Sequence, residues 1–208
     1  MLTQVVAGRV YDYSHNVGRS AAGGGMGFAN PQSAALGADG VLYVVNRGSE
    51  TISGAGWNRT GTGVRVSRCT IGTEAGDEEY LGEFSTYGDG DGEFIWGSGI
   101  AADGQGNVYI TDEWLDRITI FDKDGNFLAN WNVLDGSEDD PYGASGLAMD
   151  SDENLYVAGG RRHQVRKFTK DGRLLSSWGS YGDGDSQFDS PWGITVDNKG
   201  DVYVVDWG

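Results

Sequence analysis

The segments GNVYIT (106–111), ENLYVA (153–158) and GDVYVV (200–205) set Tyr109, Tyr156 and Tyr203 at two equal spacings of 47 residues. Gly99, Gly146 and Gly193 keep the same interval, as do Phe121 with Phe168 and Trp131 with Trp178. Phe94 and Phe188 stand 94 apart, twice the period. A period of this length marks a repeat architecture before any single residue is interpreted. Upstream, FANPQSAALGADGVLY (28–43) overlays FDSPWGITVDNKGDVY (188–203) without a gap at an offset of 160, three periods plus 19. The 19 extra residues form an expansion between Tyr43 and Phe94.

Residues 95–140 show what one repeat contains. SGIAA (98–102), VYITD (108–112), RITIF (117–121) and FLANW (127–131) are short β-rich runs, separated by DGQGN and by the hairpin signal DKDGN. No segment sustains a 3.6-residue period. Four antiparallel strands repeated every 47 residues predict the blades of an all-β propeller. The composition agrees: 36 of 208 residues are glycine, consumed by turns, while 38% hydrophobic and 12% aromatic content fills the faces between blades.

The chain carries 15 Lys+Arg against 31 Asp+Glu, a net charge of −16. That balance argues against nucleic acid, whose phosphates are gripped by clustered Lys and Arg. No apolar run reaches the length of a membrane span, and the first residues carry neither a charged nor an apolar leader region, so neither a span nor a secretion signal is expected. One cysteine, Cys69, and two histidines, His15 and His163, exclude an intrachain disulfide and a three-histidine metal centre within this chain.

PWGITVDNKGDVYVVD (191–206), DRITIFDKDGNFL (116–128), YGDGDGEF (87–94) and YGDGDSQF (181–188) together resemble the NHL repeat of six-bladed propellers, over roughly residues 28–208. Departures occur. Gly159 and Asn46 stand where Asp112 and Asp206 end the second strand of their repeats, and Gln164 replaces Arg117. The expected division is a half blade at 1–29, blades at 30–94, 95–140 and 141–188, and a half blade at 189–208. Two readings follow: the ends join into a fourth blade, or the chain is part of a six-bladed ring. The resemblance favours the second.

Blade topology sorts the loops. Connections from second to third strand, and from one blade to the next, share a variable top face; the remaining hairpins, such as DKDGN and TKDGR, share the other. The top face is expected to collect Asn46, Arg47, the expansion GSETISGAGWNRTGTG (48–63), Asp112, Glu113, Trp114, Arg161, Arg162, His163, Asp206 and Trp207. Gln32, Trp96, Tyr142 and Trp192 would lie near the channel mouth. Long loops on a rigid scaffold carry function, so a ligand site is sought there.

Arg161, Arg162 and His163 form a basic cluster in an acidic chain, readable as an anion-binding site that Arg47 joins, or as a solvated loop pairing with nearby carboxylates. Trp57, Trp96, Trp114, Trp192 and Trp207 offer either an aromatic wall or core packing. Asp89 with Asp91, and Asp183 with Asp185, are read as glycine-permitted turns rather than calcium loops, because neither copy continues with the oxygen ligands of an EF-hand. Cys69 reads as a core residue and His15 as a surface residue of the lower face. Asn58-Arg59-Thr60 fits the glycosylation pattern, which has meaning only in a secreted eukaryotic chain.

The leading functional expectation is a noncatalytic module binding a protein or small ligand on the top face. The resemblance also supplies an alternative, since similar propellers include metal-dependent lactonases and lyases with a divalent cation, calcium or similar, at the channel mouth. Asn46, Asp112, Glu113 and Asp206 would then be the oxygen ligands, His163 the base, and Arg161 or Arg162 the electrophile.

Overall fold

The computed structural model describes residues 3–6, 9–20, 27–48, 50–53, 56–59, 63–134 and 141–208; for the strands within 3–12 and 50–59 it describes the backbone alone. Period-2 patterning becomes strands throughout. The first complete blade is a sheet in the order β3 (Pro31–Leu36), β4 (Val41–Arg47), β7 (Val64–Thr70), β8 (Tyr80–Phe84). The second runs β9 (Gly97–Ala102), β10 (Val108–Asp112), β11 (Arg117–Phe121), β12 (Phe127–Asn132). The third runs β13 (Ala144–Met149), β14 (Leu155–Gly159), β15 (Gln164–Phe168), β16 (Leu174–Trp178). Two hairpins flank them, β1 (Thr3–Val6) with β2 (Arg9–Asp12), and β17 (Gly193–Val196) with β18 (Val202–Val205). The expansion after β4 is itself a hairpin, β5 (Glu50–Ser53) with β6 (Gly56–Arg59). From its sequence the segment reads as loop, since Gly48, Gly54, Gly56, Gly61 and Gly63 interrupt any alternation.

The first strands of successive sheets touch in the order β3, β9, β13, β17, so the blades fan around an axis lined by those strands. Alternation along a strand feeds two cores at once. Val108 and Ile110 of β10 join Tyr43, Val45, Val66, Phe84 and Phe94 between the first and second blades. Tyr109 faces the other way, with Ile118, Tyr142, Leu155, Val157 and Phe168 between the second and third. Burying each such side chain contributes about 1.5–3 kcal/mol, which makes the blade faces the main source of stability.

Turn chemistry fixes the register. On the lower face Asp122 accepts hydrogen bonds from the amides of Asp124 and Asn126, and its other oxygen accepts one from the Asn126 side chain. Asp103 and Asp150 repeat that pattern and also accept the hydroxyls of Tyr109 and Tyr156. Lys170 bridges two blades by bonding Asp103 and Glu153. His15 reaches the same face, where its Nε2 meets the Ile71 carbonyl at 2.9 Å. At Gly125 and Gly172 a positive φ coincides with an aromatic ring of the preceding blade, Phe84 or Trp131, in the space of the missing Cβ.

Arg117 explains the YGDGDGEF turn. Its guanidinium donates to the carbonyls of Asp89, Gly90 and Glu93, and the Gly90 amide donates to Glu93. The loop is therefore closed around a cation of the chain itself. Cys69 is 7% exposed, and burial pushes its thiol pKa up, which suits a packing residue.

Candidate functional site

The end of each second strand governs how its blade begins. Asn46 Oδ1 accepts the amide of Ala29, Asp112 accepts those of Ile95 and Trp96, and Asp206 accepts that of Asp189; each primary contact spans 17 residues. Asp112 also accepts the amides of Trp114 and Leu115, which shapes the following turn. Asn46 further donates to the carbonyls of Val44 and Arg65 and to Ser67 Oγ. Three of the four residues proposed as cation ligands thus lie at the strand ends of separate sheets, each with an oxygen on a backbone amide. Among the described residues no group of three or more His, Cys, Asp or Glu is placed to hold a metal ion.

Gly159 cannot play this part in the third blade, and the task passes to Asp116 of the second. Its carboxylate accepts the amides of Tyr142, Gly143 and Ala144 at 2.7–3.1 Å. His163 occupies the same repeat position with the same left-handed backbone, φ 54° against 50° for Asp116. Its Nδ1 accepts the amide of Ser190 at 3.0 Å, and its ring meets Tyr181 edge-on at 4.9 Å. An Nδ1 that accepts an amide holds a lone pair engaged by the backbone, so the candidate base is positioned as a capping residue. Tyr142 departs from expectation too. It is fully buried, and its hydroxyl donates to the carbonyls of Val157 and Gln164.

One position further along the chain, the axial end of the top face gathers a different set. Arg47, which follows Asn46, donates through Nη2 to Ser98 Oγ at 2.6 Å and to Glu113, which follows Asp112, at 3.1 Å. Its guanidinium carbon Cζ lies over the Trp96 ring, 4.5 Å from the centroid, and 5.7 Å from the centroid of Trp192. Trp114, half exposed, meets Trp96 edge-on at 6.3 Å. The two charged side chains are 9% and 11% exposed. Burial pushes the Glu113 carboxyl above the usual range, against the opposing pull of Arg47, Arg161 and Ser98. Arg161 is exposed, with its backbone amide on the Tyr142 carbonyl and its charge in reach of Glu113.

Of the sequence candidates, the structure brings together Arg47, Glu113, Trp96, Trp114, Trp192 and Arg161. Trp207 is 75% exposed with its amide on the Asp189 carbonyl, and Arg162 is half-buried in the turn after β14. The side chains of Trp57, Asn58 and Arg59, and all of Thr60, lie outside the described residues. Ser98 was missed. Its signal was present, because Gln32, Ser98, Ser145 and Trp192 share one repeat position on the strands lining the axis. No helix among the described residues is long and apolar enough to cross a membrane.

Comparison with known proteins places this geometry. Residues 188–208 match the NHL repeat. Protein lin-41 of Caenorhabditis elegans is 46% identical over 46 residues, 22% of this chain and 4% of that protein. A streptogramin B lyase structure superimposes with a TM-score of 0.56 at 13% identity, covering 86% of this chain and 49% of its own. A structural genomics protein of unknown function from Bacteroides thetaiotaomicron gives 0.58 at 16%, covering 86% and 45%. The chain therefore spans about half the length of these solved structures, and at such identities the likeness concerns fold alone. With its four-stranded blades, the chain is an all-β protein of the β-propeller type that carries an NHL repeat.

Proposed function

We propose that the chain is a noncatalytic recognition module within a six-bladed propeller, its blades at 30–94, 95–140 and 141–188 flanked by half blades at 1–29 and 189–208. Its ligand presents a carboxylate to the axial end of the top face. The observation that carries this reading is the Arg47 guanidinium, desolvated, lying over Trp96 and near Trp192, with Arg161 outside it. Arg47 and Arg161 concentrate positive charge here in a chain of net charge −16, while the nearby Asp112 and Asp116 carboxylates are engaged by backbone amides. An arginine held against aromatic surface and out of water suits recognition of a carboxylate. The roughly half-length match to larger solved propellers supports further blades in the ring.

The cation-dependent hydrolase or lyase is the less supported reading. Asn46 and Asp112 already hold the amides that open their blades, and His163 would have to release Ser190 to act as a base.

Calorimetric titration of acidic, neutral and basic peptides tests the proposal. A chain this acidic attracts basic peptides at long range, and about 0.5 M salt screens that attraction while sparing a desolvated contact. Acidic peptides should retain binding in salt and lose it in Arg47→Gln with Arg161→Gln. Salt-resistant binding of basic peptides alone would overturn the reading.

A further inference from the structure

We propose that Glu113 is a placeholder for the ligand's carboxylate on Arg47, and that the ligand carries this carboxylate on a flat aromatic body seated against Trp96 and Trp192. The inference rests on the acid-recognition reading above and names the ligand class and the gate of that site.

Glu113 is not demanded by the repeat. Arg47, Glu113, Gly160 and Trp207 share its position, directly after Asn46, Asp112, Gly159 and Asp206, and no two of the four are chemically alike. The capping work belongs to Asp112. Glu113 contributes its amide to the Trp96 carbonyl at 3.1 Å, a contact that any residue but proline supplies. Its side chain, in contrast, fills a place shaped for a carboxylate, with the Arg47 guanidinium on one side and Ser98 Oγ 3.4 Å from Oε2.

Replacing Glu113 by an incoming carboxylate keeps the Arg47 charge paired, while the glutamate regains hydration. Burial makes charge costly in this place for either carboxylate, and contact between the ligand's aromatic body and the indoles is what tips the exchange towards the ligand. Arg161 gives the displaced group a destination, being exposed and already within electrostatic reach of it. The indoles then select the body of the ligand. With Trp96 at 4.5 Å and Trp192 at 5.7 Å from the guanidinium, a group bonded to Arg47 lies beside aromatic surface that favours another ring.

Benzoate, cyclohexanecarboxylate and acetate serve as probes, with binding read by tryptophan fluorescence and calorimetry on the intact chain. Benzoate should bind most tightly and acetate least. Glu113→Gln should strengthen benzoate about tenfold, and Arg47→Gln should abolish it. Should Arg47→Gln fail to fold, Ser98→Ala covers the same guanidinium and should weaken benzoate several-fold. Arg161→Gln should weaken benzoate in the native chain and have much less effect beside Glu113→Gln, where no carboxylate is displaced; this cycle isolates the exchange. Unchanged or weaker binding in Glu113→Gln overturns the placeholder while leaving acid recognition intact if acidic peptides still need Arg47. Failure of every carboxylate, peptide or small, removes both.

Discussion

The ring of Tyr142 occupies the space that a side chain on Gly159 would need, and these two residues replace the aspartate arrangement of the neighbouring blade. Restoring the repeat pattern should therefore harm the protein. Gly159→Asp is expected to lose about 1–3 kcal/mol by overpacking, and Gly159→Ala to move the same way. Urea unfolding checks this, and Tyr142→Ala combined with Gly159→Asp should cost less than the sum of the single changes.

Arg117 is 9% exposed and supplies three hydrogen bonds to carbonyls of the 87–94 turn. Arg117→Met should destabilise by about 3 kcal/mol, since the carbonyls lose charged donors. Because the guanidinium already fills the turn, millimolar calcium should leave the melting temperature unchanged. A clear calcium-dependent rise would show that the chain binds the ion and reopen the acidic turns as its site.

Thr119 lies fully buried in β11, and among the described residues its hydroxyl has no hydrogen-bond partner. Valine has the same shape and no polar atom to desolvate. Thr119→Val should stabilise by about 1 kcal/mol, measured as a higher denaturant midpoint at unchanged slope.

Burial alone would raise the Asp150 pKa, but hydrogen bonds from Lys167, Asn154 and Tyr156 outweigh it and lower the value to about 2. An unfolded aspartate titrates near 3.9, so this group contributes stability that is present above about pH 4 and lost as pH falls towards about 2. Asp150→Asn should be less stable than the native chain at pH 5, and the difference should shrink steadily down to pH 2. A difference that stays constant across that range would sink the assignment.

Much of this fold is readable from spacing. The runs SGIAA, VYITD, RITIF and FLANW lie within β9 to β12 to one residue, because tyrosine, glycine and turn signals recur at fixed offsets. The failures have physical causes. Tyr142 was grouped with Trp96, yet Ala29, Ile95, Tyr142 and Asp189 share one repeat position and Trp96 belongs to the next; the empty space over Gly159 lets Tyr142 turn inward. His163, between a chemical reading and a solvated loop, conceals a third role, because Asp116 stands one period before it and performs the same capping. Arg47 with Glu113 was beyond reach for another reason. The partners are 66 residues apart in different blades, and only the convergence of strands on an axis brings Trp192 to the same guanidinium.

Asp116 and His163 each hold the first residues of the next blade, and they do so through backbone amides, which any residue but proline supplies. Recombination between related genes would therefore depend less on where it cuts than on what it joins. A crossover anywhere between Asp116 and Tyr142 parts the two, in the hairpin at 122–126 as much as between the blades. The incoming repeat keeps its first residues held whenever the repeat before it carries an acceptor at the position of Asp116 or His163. A piece of this architecture is thus made fit for copying or exchange by the one side chain at its upstream border, rather than by the loop in which it is cut.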